Sequence, residues 1–194
     1  MAVTIEQVRD ILTRDEPNYM EAAQFGPEAI PHLQKLLQEA DPLLASKATY
    51  LASMINSAQA VDVVKEAATS EHAEVRAAAA AATRNLPQTP VTDVLSSLLD
   101  DGDVSVRKVT LKSISALGAS GADLGADKPK VAAKKGAKKG AGKKGAKKGA
   151  KKGAAAQAAA EEDTSLLGKV RRLAQEDADP YIREIANDTL NRLP

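Results

Sequence analysis

A lysine-rich tract has the residue types and spacing that most directly suggest chemistry. Residues 128–152 hold twelve of the chain's 27 basic residues, mostly in Lys-Lys-Gly-Ala tetrapeptides. Cations at this density displace the counterions condensed on a nucleic-acid backbone without reading any base. Because no aromatic residue is interleaved for stacking on single strands, the tract favours a duplex or another polyanion. The lysines are Lys128, Lys130, Lys134, Lys135, Lys138, Lys139, Lys143, Lys144, Lys147, Lys148, Lys151 and Lys152.

The rest of the chain is acidic. Outside the tract, 15 basic residues face all 26 acidic ones, a formal charge of −11, although the whole chain is close to neutral at +1. Blocks of like charge are usually solvated interaction segments. Three roles for the tract therefore stay open: contact with nucleic acid or another polyanion, contact with acidic proteins or the chain's own acidic body, and a spacer that aids solubility.

A 31-residue repeat organises the acidic part. Val75-Arg76 recurs as Val106-Arg107, and Ile182-Arg183 follows 76 residues later, which is one further repeat plus 45 inserted residues. Each repeat contains two amphipathic helical patterns separated by turn residues. The repeat predicts an all-α solenoid of about four helical hairpins with an N-terminal capping helix pair. Columns at the same spacing are Ile55, Leu86, Leu117 and Leu193, and also Val63, Val94 and Val170.

Local signals place several helix ends. Thr4 with Gln7 predicts a capping box, and Asp103 predicts the start of the second helix of the third repeat. Gly118 is predicted to end that helix. A short helix is expected within residues 18–25, and the alanine-rich helix of the second repeat is expected to run from residue 75 to 86.

The chain is predicted to divide into three segments. Residues 1–118 form the repeats with their cap, residues 119–163 form the insertion, and residues 164–194 form a last repeat that docks on the first segment. Glycine at about every fourth position and adjacent lysines both disfavour helix, so residues 119–153 are expected to lack stable structure. Residues 154–160 are alanine-rich and compatible with a helix.

The segment Gly26-Pro-Glu-Ala-Ile-Pro-His-Leu33 and the Val-Arg starts of later helices resemble HEAT repeats. The short period is similar to the phycobilisome-lyase type, over roughly residues 18–118 and 164–194. This resemblance implies a solenoid but not one function, since the superfamily includes scaffolds, adaptors, lyases and nucleic-acid-binding members. One departure is Ala45, which stands where the repeat would place arginine. The lysine tract resembles the tails of linker histones in composition.

Arg76, Arg107 and Arg183 lie in register along the predicted solenoid. They are expected to be structural, each bonding an aspartate or a backbone carbonyl at a turn of a neighbouring repeat, because arginine favours such forked contacts. Binding of an anionic partner is the alternative. Acidic turn residues available for these bonds are Glu71, Asp101, Asp103, Asp177 and Asp179.

Little in the sequence indicates catalysis. There is no cysteine, and His32 and His72 lack the spacing of a zinc site. Neither a nucleophile elbow nor a phosphate-binding loop is present. HEAT-like DNA glycosylases resemble this fold, but their clefts use aromatic residues that are scarce here. The sequence therefore predicts no enzyme, no cofactor and no metal.

These observations predict a scaffold or adaptor that binds a protein through one solenoid face and nucleic acid through the lysine tract. We expect a cytoplasmic protein, with association with the nucleoid as one possibility, because neither a signal peptide nor a membrane span is evident. A pure protein adaptor or chaperone-like factor is the alternative, and a lyase-like enzyme is a remote one.

Overall fold

A computed structural model describes residues 2–86, 91–122, 124 and 163–193. Over these residues the chain forms ten α-helices and no strand. In chain order they are α1 (Ile5–Thr13), α2 (Tyr19–Ala23), α3 (Ile30–Leu37), α4 (Pro42–Met54), α5 (Ala58–Ala67), α6 (Ala73–Ala82), α7 (Val91–Leu98), α8 (Val104–Ala119), α9 (Leu166–Glu176) and α10 (Pro180–Arg192). Two 3-10 turns, Gly26–Ala29 and Thr83–Asn85, precede α3 and follow α6.

The helices pair into hairpins that stack along the chain. Helices α3 to α10 form four consecutive pairs, and α1 with α2 caps the N-terminal end. Each second helix packs on the second helix of the next pair, so α4 contacts α6, α6 contacts α8, and α8 contacts α10. First helices also meet, as α3 does with α5 and α7 with α9. The predicted HEAT-like α-solenoid is confirmed.

Aliphatic side chains and alanine fill the core. Leu12, Leu51 and Leu95 are among its fully buried large residues. In α6, Ala79 and Ala80 are also fully buried, between α4 and α8. A methyl side chain lets neighbouring backbones approach closely, and this explains how a chain with 2% aromatic residues packs a continuous interior.

Side-chain caps begin most of the helices. The predicted capping box is present at α1, where Thr4 accepts from the Gln7 backbone N–H and Gln7 accepts from that of Thr4. Asp103 caps α8 as predicted, through bonds from the N–H groups of Ser105 and Val106. Asp41 and Asp179 cap the equivalent helices α4 and α10. These aspartates fix where α4, α8 and α10 start, whereas α6 begins after His72 without a side-chain cap.

Two predicted helix ends are wrong. Helix α8 runs through Gly118 to Ala119, and Gly121, with φ +77°, supplies the left-handed turn that follows. The Ala122 N–H then donates to the Leu117 carbonyl at 3.0 Å, which is the bond of a Schellman motif. Helix α6 ends at Ala82 and not at residue 86, because a 3-10 turn replaces its last part.

Gly118 is a packing position. A Cβ atom there would lie 2.1 Å from the Leu193 Cδ2, so the missing side chain makes room for the end of the last repeat. Both Ala122 and Leu124 are buried, which shows that ordered chain continues past residue 118. Most of the predicted insertion, including residues 125–162, lies outside the described residues.

Candidate interaction surfaces

Arginine side chains link successive repeats at the turns between first and second helices. Arg76, on α6, donates from Nε to one Asp101 oxygen at 2.6 Å and from Nη2 to the other at 2.9 Å. Its Nη1 donates to the backbone carbonyls of Ser70 and Glu71 at 2.9 and 3.0 Å. We call this arrangement an arginine clasp, since one guanidinium holds its own turn and the next repeat's carboxylate together.

Arg107 makes the same clasp one repeat later. Nε and Nη2 donate to Asp177 at 2.8 and 3.0 Å, while Nη1 donates to the carbonyls of Asp101 and Gly102 at 2.8 and 3.3 Å. Only 12% of the Arg107 side chain and 4% of that of Asp177 are exposed. This clasp crosses the insertion, because its carboxylate lies in the last repeat.

The clasped carboxylates share one position in the repeat. Asp101 and Asp177 each lie two residues before the aspartate that caps the following helix, and each accepts from that cap's backbone N–H at 2.8 or 2.9 Å. Glu39 occupies the same position before Asp41. Arg9 of α1 donates to both Glu39 oxygens at 2.7 and 2.5 Å. The sequence interpretation missed the Arg9 pair, although the 31-residue spacing of residues 39, 70 and 101 marks Glu39 as equivalent to Asp101.

One step of the stack lacks a clasp. Ala45 stands at the arginine position, and Ser70 stands at the carboxylate position 31 residues before Asp101. Ser70 still accepts from the backbone N–H of His72, at 3.3 Å, so the turn keeps its shape. Donor and acceptor are absent together, so neither of these two positions carries a charge that would need a partner.

The last clasp is half filled. Arg183 donates from Nη1 to the carbonyls of Asp177 and Ala178 at 2.5 and 3.4 Å, as the other two arginines do at their own turns. Within the described ranges its Nε and Nη2 meet no acceptor. The structure therefore brings Arg76 and Arg107 together with turn aspartates and does not do so for Arg183.

The clasp changes the acid–base behaviour of its members. Hydrogen bonds from Arg76, together with its positive charge and a backbone hydrogen bond, hold the pKa of Asp101 below its ordinary value despite partial burial. The same pairing raises the pKa of Arg76. Both groups are therefore charged across the physiological range, which suits a permanent link between repeats better than a proton-transfer site.

A second surface follows the exposed side of the second helices. Leu43 of α4 and Tyr181 of α10 are 64% and 47% exposed, and Tyr50 is 36% exposed. Half-buried alanines of α6, Ala77 and Ala78, lie between these helices in the stack. We call this the second-helix face. It places apolar and aromatic side chains on the outside of a molecule whose core has almost no aromatic residues.

A groove of about 440 Å³ lies on this face between α8 and α10. Its lining mixes charge with apolar surface, and the Lys108 ammonium lies 4.9 Å from the centre of the Tyr181 ring, a cation–π distance. Such a mixture suits a peptide segment better than a small reactive molecule. The lining includes Lys112, Ala116, Tyr181, Glu184, Ile185 and Arg192.

Other sites considered in the sequence have ordinary roles or cannot be placed. All twelve tract lysines lie outside the described residues. His32 contacts the Val3 carbonyl at 2.9 Å through Nε2, and His72 precedes α6 without capping it. In the described ranges no group of three or more His, Cys, Asp or Glu side chains could hold a metal ion, and no helix is long and apolar enough to span a bilayer.

Comparison with known proteins bears on the fold. No curated protein matches the chain. Residues 30–118, which contain the first three hairpins, match the family model for HEAT repeats. The stacked hairpins and their recurring clasps agree with this similarity of residues 30–118 to HEAT repeats.

Proposed function

We propose that the protein is a non-enzymatic adaptor. Its second-helix face binds a protein partner, and its lysine tract contacts nucleic acid without sequence preference. HEAT repeats generally act as scaffolds between proteins, which supports the first half of the proposal. The second half depends on the chemistry of the tract.

The proposed binding of a polyanion rests on the separation of the basic tract from the acidic folded residues. Residues described by the structure hold 15 basic and 22 acidic side chains, a formal charge of −7, while the tract adds twelve lysines and no acid. Several of the basic residues in the folded part are already engaged by carboxylates or carbonyls, Arg76 and Arg107 among them. The tract thus holds the chain's highest concentration of positive charge, and phosphates are its natural targets.

The position of the insertion supports a tether. It joins α8 to α9 on the edge where second helices connect to first helices, while the clasps and acidic caps lie at the opposite turns. A polyanion on the tract therefore need not approach Asp101, Asp103 or Asp177.

Titration against duplex DNA at several salt concentrations tests the tract. If about six lysines each neutralise a phosphate, log K should fall with log salt at a slope near −5. Replacement of all Lys-Lys pairs by Gln-Gln should abolish binding and leave helicity unchanged. Replacing the exposed Lys65 and Lys112 of the folded part by Gln removes two charges outside the tract, and we expect it to change the slope less than replacing a single Lys-Lys pair does. Absence of binding at low salt would favour the pure protein adaptor.

A separate experiment tests the protein-binding face. The double variant Leu43→Ser, Tyr181→Ser removes two exposed apolar side chains from it, whereas Lys35→Ser, Lys65→Ser changes two exposed side chains of the first helices α3 and α5. Proteins retained by the wild type and by the Lys35, Lys65 variant, but lost by the Leu43, Tyr181 variant, would be partners of this face. Equal retention by all three proteins would count against the assignment.

A further inference from the structure

The half-filled clasp at Arg183 has the geometry of an acceptor site for a carboxylate. In Arg76 and Arg107, bonds from Nη1 to two carbonyls fix the guanidinium, and Nε with Nη2 then hold both oxygens of an aspartate. Arg183 has the first set of bonds without the second among the described residues. The site is preorganised, because the part of the clasp that positions the fork is already in place.

The outer surface of the last hairpin does not accommodate another buried repeat. Positions that hold fully buried leucines in the third repeat carry exposed polar residues 76 positions later. The replacements are Leu95 by Arg171, Leu99 by Gln175, and Leu111 by Asn187. A polar outer face is typical of a terminal capping repeat. A partner would therefore make mainly polar contacts with this surface, and the Arg183 guanidinium would be the hydrogen-bond donor that orients it.

The opposite end of the molecule carries a matching acceptor. Glu16 lies two residues before Asn18, which caps α2. This is the position that Glu39, Asp101 and Asp177 occupy before their own caps, and all three are gripped by an arginine. Glu16 is exposed and has no ion pair among the described residues. The Arg9–Glu39 pair shows that a glutamate fits at this position.

We propose that Arg183 of one molecule clasps Glu16 of a second copy, so that the protein associates head to tail. The row of clasps would then continue from one molecule to the next. Such contacts join two different surfaces and generate open chains, or rings if the rotation closes. Because the contact is polar and small, association should be weak and should weaken further with salt.

Charge reversal tests the contact in the full-length chain. Arg183→Glu places like charges at the contact, and so does Glu16→Arg, so each variant alone should associate at least about tenfold more weakly than the wild type. An equimolar mixture should recover association, because the introduced glutamate of one variant faces the introduced arginine of the other, while the native pair remains at the alternate junctions. Sedimentation velocity over a concentration series measures all four samples.

A matched pair of controls separates the contact from net charge. Arg84→Glu and Asp62→Arg change charge by the same amounts at exposed sites outside the clasps, and each of them alone should associate like the wild type. Three outcomes would overturn the proposal: a wild type that stays monomeric, Arg183 and Glu16 variants that associate like the wild type, or control variants that lose association as strongly as those two do. Closed dimers that survive both reversals would instead indicate exchange of the last hairpin between copies, and they also count against it.

Discussion

At the scale of single residues, the clasps show why an arginine and its carboxylate partner can be absent together at one step of the stack. Arg76 and Asp101 have side chains only 20% and 7% exposed, so removing either one leaves its partner poorly solvated. Removing both leaves no buried charge behind. The Ala45 and Ser70 pair has this second form at the preceding step, where the turn is nevertheless kept.

The double variant Arg76→Ala, Asp101→Ser places the Ala45 and Ser70 residue types at the next step, and a double-mutant cycle measures the effect. Arg76→Ala and Asp101→Ser should each destabilise the fold by about 2 kcal/mol, and the double variant should cost less than the sum by about 1–3 kcal/mol. Urea unfolding followed by circular dichroism measures the three free energies. Arg14→Ala provides the control, because its pair with Asp10 is solvent-exposed and should contribute less than about 1 kcal/mol. Additive losses would show that the clasp is energetically unimportant.

The clasp also predicts an acid dependence. Because the pKa of Asp101 is lower in the folded state than in the unfolded chain, its stabilising contribution is present above the unfolded pKa and is lost as pH falls through the folded value. The difference in unfolding free energy between wild type and Asp101→Asn should therefore be constant from pH 7 to about 5 and shrink below about pH 4. Unfolding titrations across this range measure it. A difference that grows towards acid pH would contradict the assignment.

The sequence was most informative about residues that recur. It predicted the arginine column at Arg76, Arg107 and Arg183, and the aspartates among which two partners were found. It did not predict that the acceptor sits two residues before each helix cap, since Glu39, Ser70 and Asp101 differ in type. Arg9 was also missed, because it lies on the capping helix α1 and has no counterpart 31 residues away.

At the scale of elements, the helix starts were easier to predict than the helix ends. A cap such as Thr4 or Asp103 is a local hydrogen-bonding device that can be recognised in the sequence. Gly118 was misassigned because glycine occurs near helix ends for two different reasons. Gly121 adopts the left-handed conformation of the turn that follows the helix. Gly118 instead leaves room for the Leu193 side chain to pack against the helix.

This distinction can be measured at Gly118. Alanine in a helix interior is favoured over glycine by about 1 kcal/mol, but at this position its Cβ would overlap the Leu193 side chain. Gly118→Ala should therefore give little or no stabilisation in the wild type and about 1 kcal/mol in a Leu193→Ala background. Thermal and urea unfolding of the four proteins provides the comparison. Equal effects in both backgrounds would mean that Leu193 does not constrain the position.

At the scale of the whole molecule, the last hairpin completes the stack across the insertion. Besides the Arg107 clasp, Lys169 of α9 donates to the Ser96 carbonyl at 2.8 Å, and Asp100 pairs with both Lys169 and Arg172. Entropy of loop closure rises only logarithmically with loop length, so a long connection adds little to the cost of docking.

Excision of residues 125–162 tests whether the insertion contributes to folding. We expect a short Gly-Ser linker in its place to leave helicity and the single cooperative transition unchanged, with a melting temperature equal to or slightly above that of the wild type. The linker should begin after Leu124, since Ala122 and Leu124 are buried. Loss of cooperative melting would mean that the excised residues are part of the fold.

Truncation after residue 124 should have the opposite effect. It removes α9 and α10, leaves Arg107 without Asp177, and exposes core leucines that include Leu111. We expect lower stability, binding of a hydrophobic dye and aggregation. The excised protein described above, which retains the last hairpin, is the control. A fragment as stable and soluble as that control would show that the last hairpin is dispensable.

The two edges of the stack differ in how freely their connections vary in length. Turns from a first to a second helix have three to five residues, whereas the connections from a second helix to the next first helix have three, eight and 46. Clasp and cap bonds fix the first kind. Where the gene encodes Lys-Lys-Gly-Ala by tandem copies of one twelve-nucleotide unit, replication slippage would add or remove copies. Each copy gained or lost would change the number of positive charges by two, and the folded repeats would keep their sequence.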